Sequence, residues 1–182
     1  MIEKLPHPAP AERVAFLAWR RFLEVHACLT RRLDAALQSR AGIALGWYDV
    51  LVHVDEAPSR RIRLRELEQS VLVSQSTVSR LAVRMERAGL LTRTTPADDR
   101  RSVEVRLTSA GTRLLRRARG VAIQEIRGGF AQGLTPDDAQ ELLRMLSGIR
   151  ACQERLDGDQ AHETGREGGK LDEGGQTAGN ES

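Results

Sequence analysis

The stretch SQSTVSRLAVRMERAGLL, residues 74–91, separates two chemistries at the 3.6-residue period of a helix. Val78, Leu81, Ala82, Met85 and Ala88 share one apolar face, while Ser76, Ser79, Arg80, Val83 and Arg87 share the other. Ser74 is placed as the N-cap, with Thr77 at the third helical position. Short hydroxyls allow a helix to approach a surface closely while offering donors and acceptors. An arginine guanidinium can grip guanine O6 and N7 with two bonds, or hold a phosphate. The free N–H groups of the helix start suit a phosphate as well. Gln75 and Thr77 lie where a helix in a major groove first reaches base edges, Val83 suits a thymine methyl, and Arg84 and Arg87 suit backbone clamps or edge contacts. Glu86 is also present, and an ordinary solvated face would have a similar composition. The helix alone leaves both readings open.

Charge along the chain is unevenly distributed. Of 182 residues, 28 are Lys or Arg and 25 are Asp or Glu, a net charge of only +3. Between Arg60 and Arg119, however, fifteen arginines face six acids with no lysine, while the segment from Asp157 onward is acidic. A basic stretch of that density suits a polyanion; an arginine-rich solvated surface is the plainer alternative.

The elements around the basic helix are legible from periodicity. Residues 1–11 are proline-rich and read as a flexible N-terminus. Phe16, Trp19, Phe22, Leu23, Leu29, Leu33 and Leu37 fall at helical steps over about 12–39, with Gly42 as the stop. A second helix starts near Leu45 and runs through GWYDVLVHV. Residues 55–60 form a loop, Arg61–Arg63 a short strand, and LRELEQSV a helix over 64–71. Gly89 is a natural residue to end the 75–88 helix. The period then changes to two: LLTRTT, a PADDRR tip, and a returning strand in which Val103, Val105 and Leu107 alternate with Glu104 and Arg106. Thr108 opens a helix to about Gly128–Gly129. Thr135, Pro136 and Asp138 begin another, with Leu142, Leu146 and Ile149 as its stripe. The segment 157–182, rich in glycine with one leucine and no aromatic, reads as a disordered tail. With 3% aromatics, the core must rest on Leu, Val, Ile and Ala.

Helix 64–71, a short turn, helix 75–88 and a hairpin over 91–107 make a helix-turn-helix followed by a wing. In that arrangement the second helix fits the major groove. An arginine at the hairpin tip, beside Asp98, Asp99, Arg100 and Arg101, suits the narrow minor groove, with an aspartate to orient it. The expected fold is mainly α with a small β-hairpin wing.

Other residue types offer less. Cys28 lies inside a helix and reads as a buried structural thiol; Cys152 sits near the end of the last helix, and the two make no metal-ligand or disulfide pattern. His53 is four residues after Asp49, which suggests an ion pair on one helix face rather than a metal site. There is no glycine-rich phosphate loop, nucleophile elbow or acid–base set, so no enzyme activity, cofactor or metal is expected. No apolar run reaches membrane length and MIEKLPHPAP lacks a signal core; a soluble cytoplasmic protein is the default.

From about Gly42 to Ala118 the chain resembles the MarR family of bacterial transcriptional regulators. The resemblance rests on GWYDVLVHV, LRELEQSVLVSQSTVSRLAVRMERAGLLTR and DDRRSVEVRLTSAG, with Asp99-Arg100-Arg101 followed by VRLTSAG its most specific part. It implies one domain over 12–156, with a winged helix at about 45–108 and dimerisation helices at about 12–40 and 109–156. It further implies a symmetric homodimer on double-stranded DNA with a pseudo-palindromic operator, most often a repressor released by a small aromatic or anionic effector. The DNA-binding residues would be Gln75, Ser76, Thr77, Ser79, Arg80, Arg84, Asp99 and Arg101. An effector pocket between the dimerisation helices and the winged domain would draw on Trp19, Phe22, His26, Trp47 and Tyr48. The competing reading is a winged-helix protein-interaction module, against which the basic stretch argues.

Overall fold

In the computed structural model, which describes residues 9–71, 75–96 and 102–168, the first helix α1 (Pro10–Ala41) stops at Gly42. That residue takes φ 74°, a left-handed conformation open to glycine at little cost. Its N–H bonds Gln38 O at 3.2 Å. The next helix, α2 (Leu45–Glu56), is tied back to α1 through Asp34. The Asp34 carboxylate accepts the Leu45 N–H at 2.7 Å and the Gln38 side-chain amide at 2.6 Å. A carboxylate at the α2 start meets both an orphan N–H and the positive end of the helix dipole.

After a 3-10 turn at Pro58–Arg60 come β1 (Arg61–Arg63), α3 (Leu64–Ser70), α4 (Gln75–Arg87), β2 (Leu91–Thr94), β3 (Glu104–Leu107) and α5 (Ser109–Gly129). The strands form one antiparallel sheet in the order β1-β3-β2. Ile62 and Arg93 both face Val105 across it, and Leu91 faces Leu107. The hairpin predicted from alternation is therefore present, and the short strand at 61–63 completes its other edge. Val105 is fully buried and Glu104 and Arg106 lie to either side, as the period of two requires.

The α4 end and the α5 start share one joint. Gly89 takes φ 71°, and the Leu90 N–H reaches back to Met85 O at 2.9 Å, closing the helix. Thr108 caps α5: its hydroxyl accepts the Gly111 N–H at 3.0 Å and donates to Gly89 O at 2.7 Å. The same side chain thus terminates one helix and starts another. Thr108→Ala is expected to lower stability by about 1–2 kcal/mol, the upper part of the range for a lost N-cap. A thermal melt checks this; an unchanged midpoint would contradict it.

The core cluster joins Leu37 of α1, Val50, Leu51 and Val54 of α2, Leu67 of α3, Val78 and Met85 of α4, Val105, and Leu115 and Ala118 of α5. No aromatic side chain is among the buried core residues described, in line with the composition. Around its rim pack Trp47, Tyr48 and Leu81.

The segment from Gly133 onward is a second compact unit, built on α6 (Pro136–Gly168). Its start is the predicted capping box. Asp138 Oδ2 accepts the Thr135 N–H at 3.0 Å and its hydroxyl at 2.6 Å, and the Asp138 N–H returns to the Thr135 hydroxyl at 3.2 Å. The hydrogen bond from Thr135 holds the Asp138 carboxyl below its ordinary range. Of the α6 stripe, Leu146 and Ile149 are exposed and Leu142 is half-buried. The composition predicts an ordered end at 156, but the helical backbone continues to Gly168. The segment 157–168 contains no proline to break a helix that is already nucleated. The rest of the tail, like residues 1–8, lies outside the described residues.

Candidate nucleic-acid interface

Helix α4 is held from one side and open on the other. Val78, Ala82 and Met85 are fully buried and Leu81 is half-buried, so the predicted apolar face is the packed one. Ala88 differs: it lies one residue past the helix end and is exposed, because the chain is already turning toward Gly89. Arg80, Arg84 and Arg87 are exposed and Val83 is half-buried. A helix with three arginines outward and an immobile apolar back is suited to insertion into a groove.

Two of the expected contact residues have partners on neighbouring helices. The Ser79 hydroxyl donates to the Glu68 carboxylate of α3. Arg84 places its guanidinium over the Trp47 ring of α2, 5.8 Å from the ring centre. Thr77 is half-buried at the helix start. Gln75 and Ser76 are on the helical backbone, but their side chains lie outside the described residues, as do Ser74, Asp99 and Arg101. The strands β2 and β3 carry the chain toward the segment that holds Asp99 and Arg101.

Glu86 has a role that its reading as one more surface acid missed. It accepts the Arg93 backbone N–H at 3.2 Å and lies 3.5 Å from the Arg93 guanidinium. One carboxylate thereby links the end of α4 to β2 and fixes the helix against the wing. The Arg93 Nε is buried without a hydrogen-bond partner. Nothing in the helical period marks Glu86; only its proximity to a strand that starts at Leu91 could have suggested the link. On the sheet, Glu104 lies 3.6 Å from Arg61 and 3.1 Å from Arg106, so part of the basic stretch is internally balanced.

The residues expected around an effector fall into two groups. Trp19, Phe22 and His26 stack in a row along α1, with ring centres 6.0 and 6.1 Å apart, and all three are exposed. Trp47 and Tyr48 are half-buried on α2. Burial pushes the Tyr48 phenol above its ordinary pKa, with the Arg119 guanidinium acting in the opposite direction. Arg119 also pairs with Asp55 at 3.2 Å. A cavity of about 310 Å³ opens elsewhere, between α1 and α5, against Leu29, Leu33, Ile126 and Phe130, with Arg32 and Glu125 at its edge. None of the five residues lines it.

Cys28 is exposed, which corrects its reading as a buried thiol: it lies on a side of α1 that the core of this chain does not cover. Cys152 is exposed as well. His53 Nε2 and Asp49 Oδ1 are 3.8 Å apart, the expected pairing across one turn. Among the described residues, no group of three or more His, Cys, Asp or Glu side chains could hold a metal ion, and no helix is long and apolar enough to cross a membrane.

The helix-turn-helix and the β2–β3 wing have counterparts among known proteins. A family model for the MarR family matches residues 41–102, from the end of α1 into the wing. AbsC, a MarR family transcriptional regulator from Streptomyces coelicolor, is 31% identical over 84% of this chain and 99% of its own, with a TM-score of 0.72. This chain belongs to the MarR family. A second member from Streptomyces coelicolor, Sco3205, was solved in complex with DNA; it is 29% identical over 81% of this chain and 91% of its own, with a TM-score of 0.71. A mutant MarR from E. coli, complexed with operator DNA, has the same fold at 22% identity, covering 78% of this chain and 99% of its own, with a TM-score of 0.66. In the MarR frame α3 and α4 are the helix-turn-helix, β2 and β3 are the wing, and α1, α5 and α6 are the flanking helices.

Proposed function

We propose that this protein is a sequence-specific DNA-binding transcriptional regulator that acts as a homodimer, with α4 in the major groove and the wing arginine in the minor groove. The observation that carries the reading is the outward arginine face of α4, backed by side chains that cannot give way. A rigid element presents base-reading groups without a large ordering cost on binding. The DNA complex of Sco3205 supports the same use of the fold.

Dimerisation is supported by apolar side chains that a single chain leaves open. Phe16, Leu17 and Trp19 of α1 are 58%, 66% and 59% exposed, and Leu143 and Ile149 of α6 are 66% and 60% exposed. Large exposed apolar side chains on each of these helices suit burial against a second copy. Two copies would carry two α4 helices to successive major grooves of a pseudo-palindromic operator. Repression relieved by a small aromatic or anionic effector completes the reading: a ligand that fits one dimer geometry better shifts the spacing of the two helices.

Arg101→Ala tests the wing. Operator affinity is expected to fall about 5- to 150-fold per half-site, the range of one groove contact of about 1–3 kcal/mol, with the dimer still folded. A fluorescence-anisotropy titration at fixed salt measures it; unchanged affinity would remove the wing arginine from the interface. A protein that binds no DNA in any such titration, but captures a protein partner through α4, would support the interaction-module reading instead.

A further inference from the structure

Trp47 of α2 meets an arginine of α4, and its setting is rigid. It lies in the first turn of α2, where its N–H bonds Ala44 O at 3.0 Å. That turn is anchored to α1 by Asp34, through the Leu45 N–H. The ring is half-buried against the core cluster, so its position is fixed by packing. The Arg84 guanidinium lies over it at 5.8 Å, within the range of a cation–π contact. An exposed arginine otherwise samples many rotamers, and ordering it for a DNA contact costs free energy.

We propose that Trp47 is a positioning residue for DNA binding: it holds Arg84 in place on the flank of α4 and so lowers the ordering cost of the Arg84 contact. A guanidinium engaged through its π face keeps its in-plane N–H donors available, which suits a phosphate oxygen. Trp47 itself touches no DNA. This inference rests on the DNA-binding reading above, and it adds that α1, α2 and α4 are joined through Asp34 and Trp47 at a named DNA contact.

The experiment is a double-mutant cycle on the full chain, titrated with operator DNA at several salt concentrations. Arg84→Ala should weaken binding and flatten the salt slope by about one unit for each phosphate that Arg84 neutralises. Trp47→Leu keeps an apolar side chain and removes the π face. It should weaken binding about 2- to 5-fold per half-site, the range of an exposed cation–π contact, and leave the salt slope unchanged because the charge stays in place. In the Arg84→Ala background Trp47→Leu should have no further effect, and Trp47→Phe should restore part of the affinity. Additive effects of the two substitutions, or an Arg84→Ala variant with wild-type affinity, would overturn the proposal.

Emission of Trp47 in a Trp19→Phe background, without DNA, reads the contact separately. A change on adding Arg84→Ala supports the contact; identical spectra overturn it. Should the wild-type protein bind no DNA while the emission responds, the DNA-binding reading has failed and the positioning role fails with it, although the contact stands.

Discussion

Gly111→Ala is expected to cost about 3 kcal/mol or more, although it is a glycine-to-alanine change within a helix. A Cβ built on Gly111 would lie 2.1 Å from the carbonyl oxygen of Leu90 and 3.1 Å from its carbon. These are backbone atoms with no room to move. The Leu90 oxygen accepts the Thr108 N–H at 3.0 Å, and the Leu90 N–H is committed to Met85 O. Relief would require α5 to move away from the end of α4, breaking the Thr108 cap as well. The cost belongs at or beyond the upper end of overpacking, about 1–3 kcal/mol, in a fold whose whole margin is about 5–15 kcal/mol. For a chain of this size the midpoint of thermal unfolding should fall by roughly 6–12 °C. Gly120→Ala is the matched control: it lies on the same helix, a Cβ there meets nothing within 4 Å, and helix propensity favours alanine. It should leave the midpoint unchanged or raise it. Equal melting of the two variants would contradict the packing of α5 on the α4–β2 turn.

The second large effect is on recognition. Arg80 is exposed on α4, opposite Val78, Ala82 and Met85. A bidentate contact from arginine to guanine is worth about 1–3 kcal/mol of discrimination. A homodimer makes it twice, so Arg80→Ala should reduce operator affinity by about 30-fold at least, at roughly tenfold per 1.4 kcal/mol. Affinity for a scrambled duplex should fall much less. Titration of both duplexes at one salt concentration separates the roles. A large loss on the operator alone makes Arg80 a base reader. Equal losses on both would make it a phosphate clamp and contradict that role.

The order of elements is legible because each has a local signature. The change of period from 3.6 to two after Gly89 marks the wing, and Thr108 and Thr135 mark two helix starts through their own hydroxyls. The packed face of α4 follows from spacing alone, since a helix repeats its faces whatever it packs against. The side chains at the edges of that face do not. Ser79 meets Glu68 and Arg84 meets Trp47 across separate helices, and no periodicity encodes which neighbour fills a flank. The resemblance places Trp47 at an effector pocket; it gives no sign that the ring also carries Arg84. The pairing of β1 with β3 is hidden for the same reason: three residues alternating around Ile62 do not specify a partner more than forty positions away. The cavity between α1 and α5 depends on how two long helices cross, which their sequences state only jointly.

On the proposed reading the α4 face selects one DNA sequence. Its most direct test is a fluorescence-anisotropy titration of the purified protein against the DNA upstream of its own gene, beside a scrambled duplex of equal length, at two salt concentrations. The expected result is tight binding to the upstream DNA, far weaker binding to the scrambled duplex, and affinity that falls steeply with salt as counterions are released. Weak and equal binding to both would contradict it.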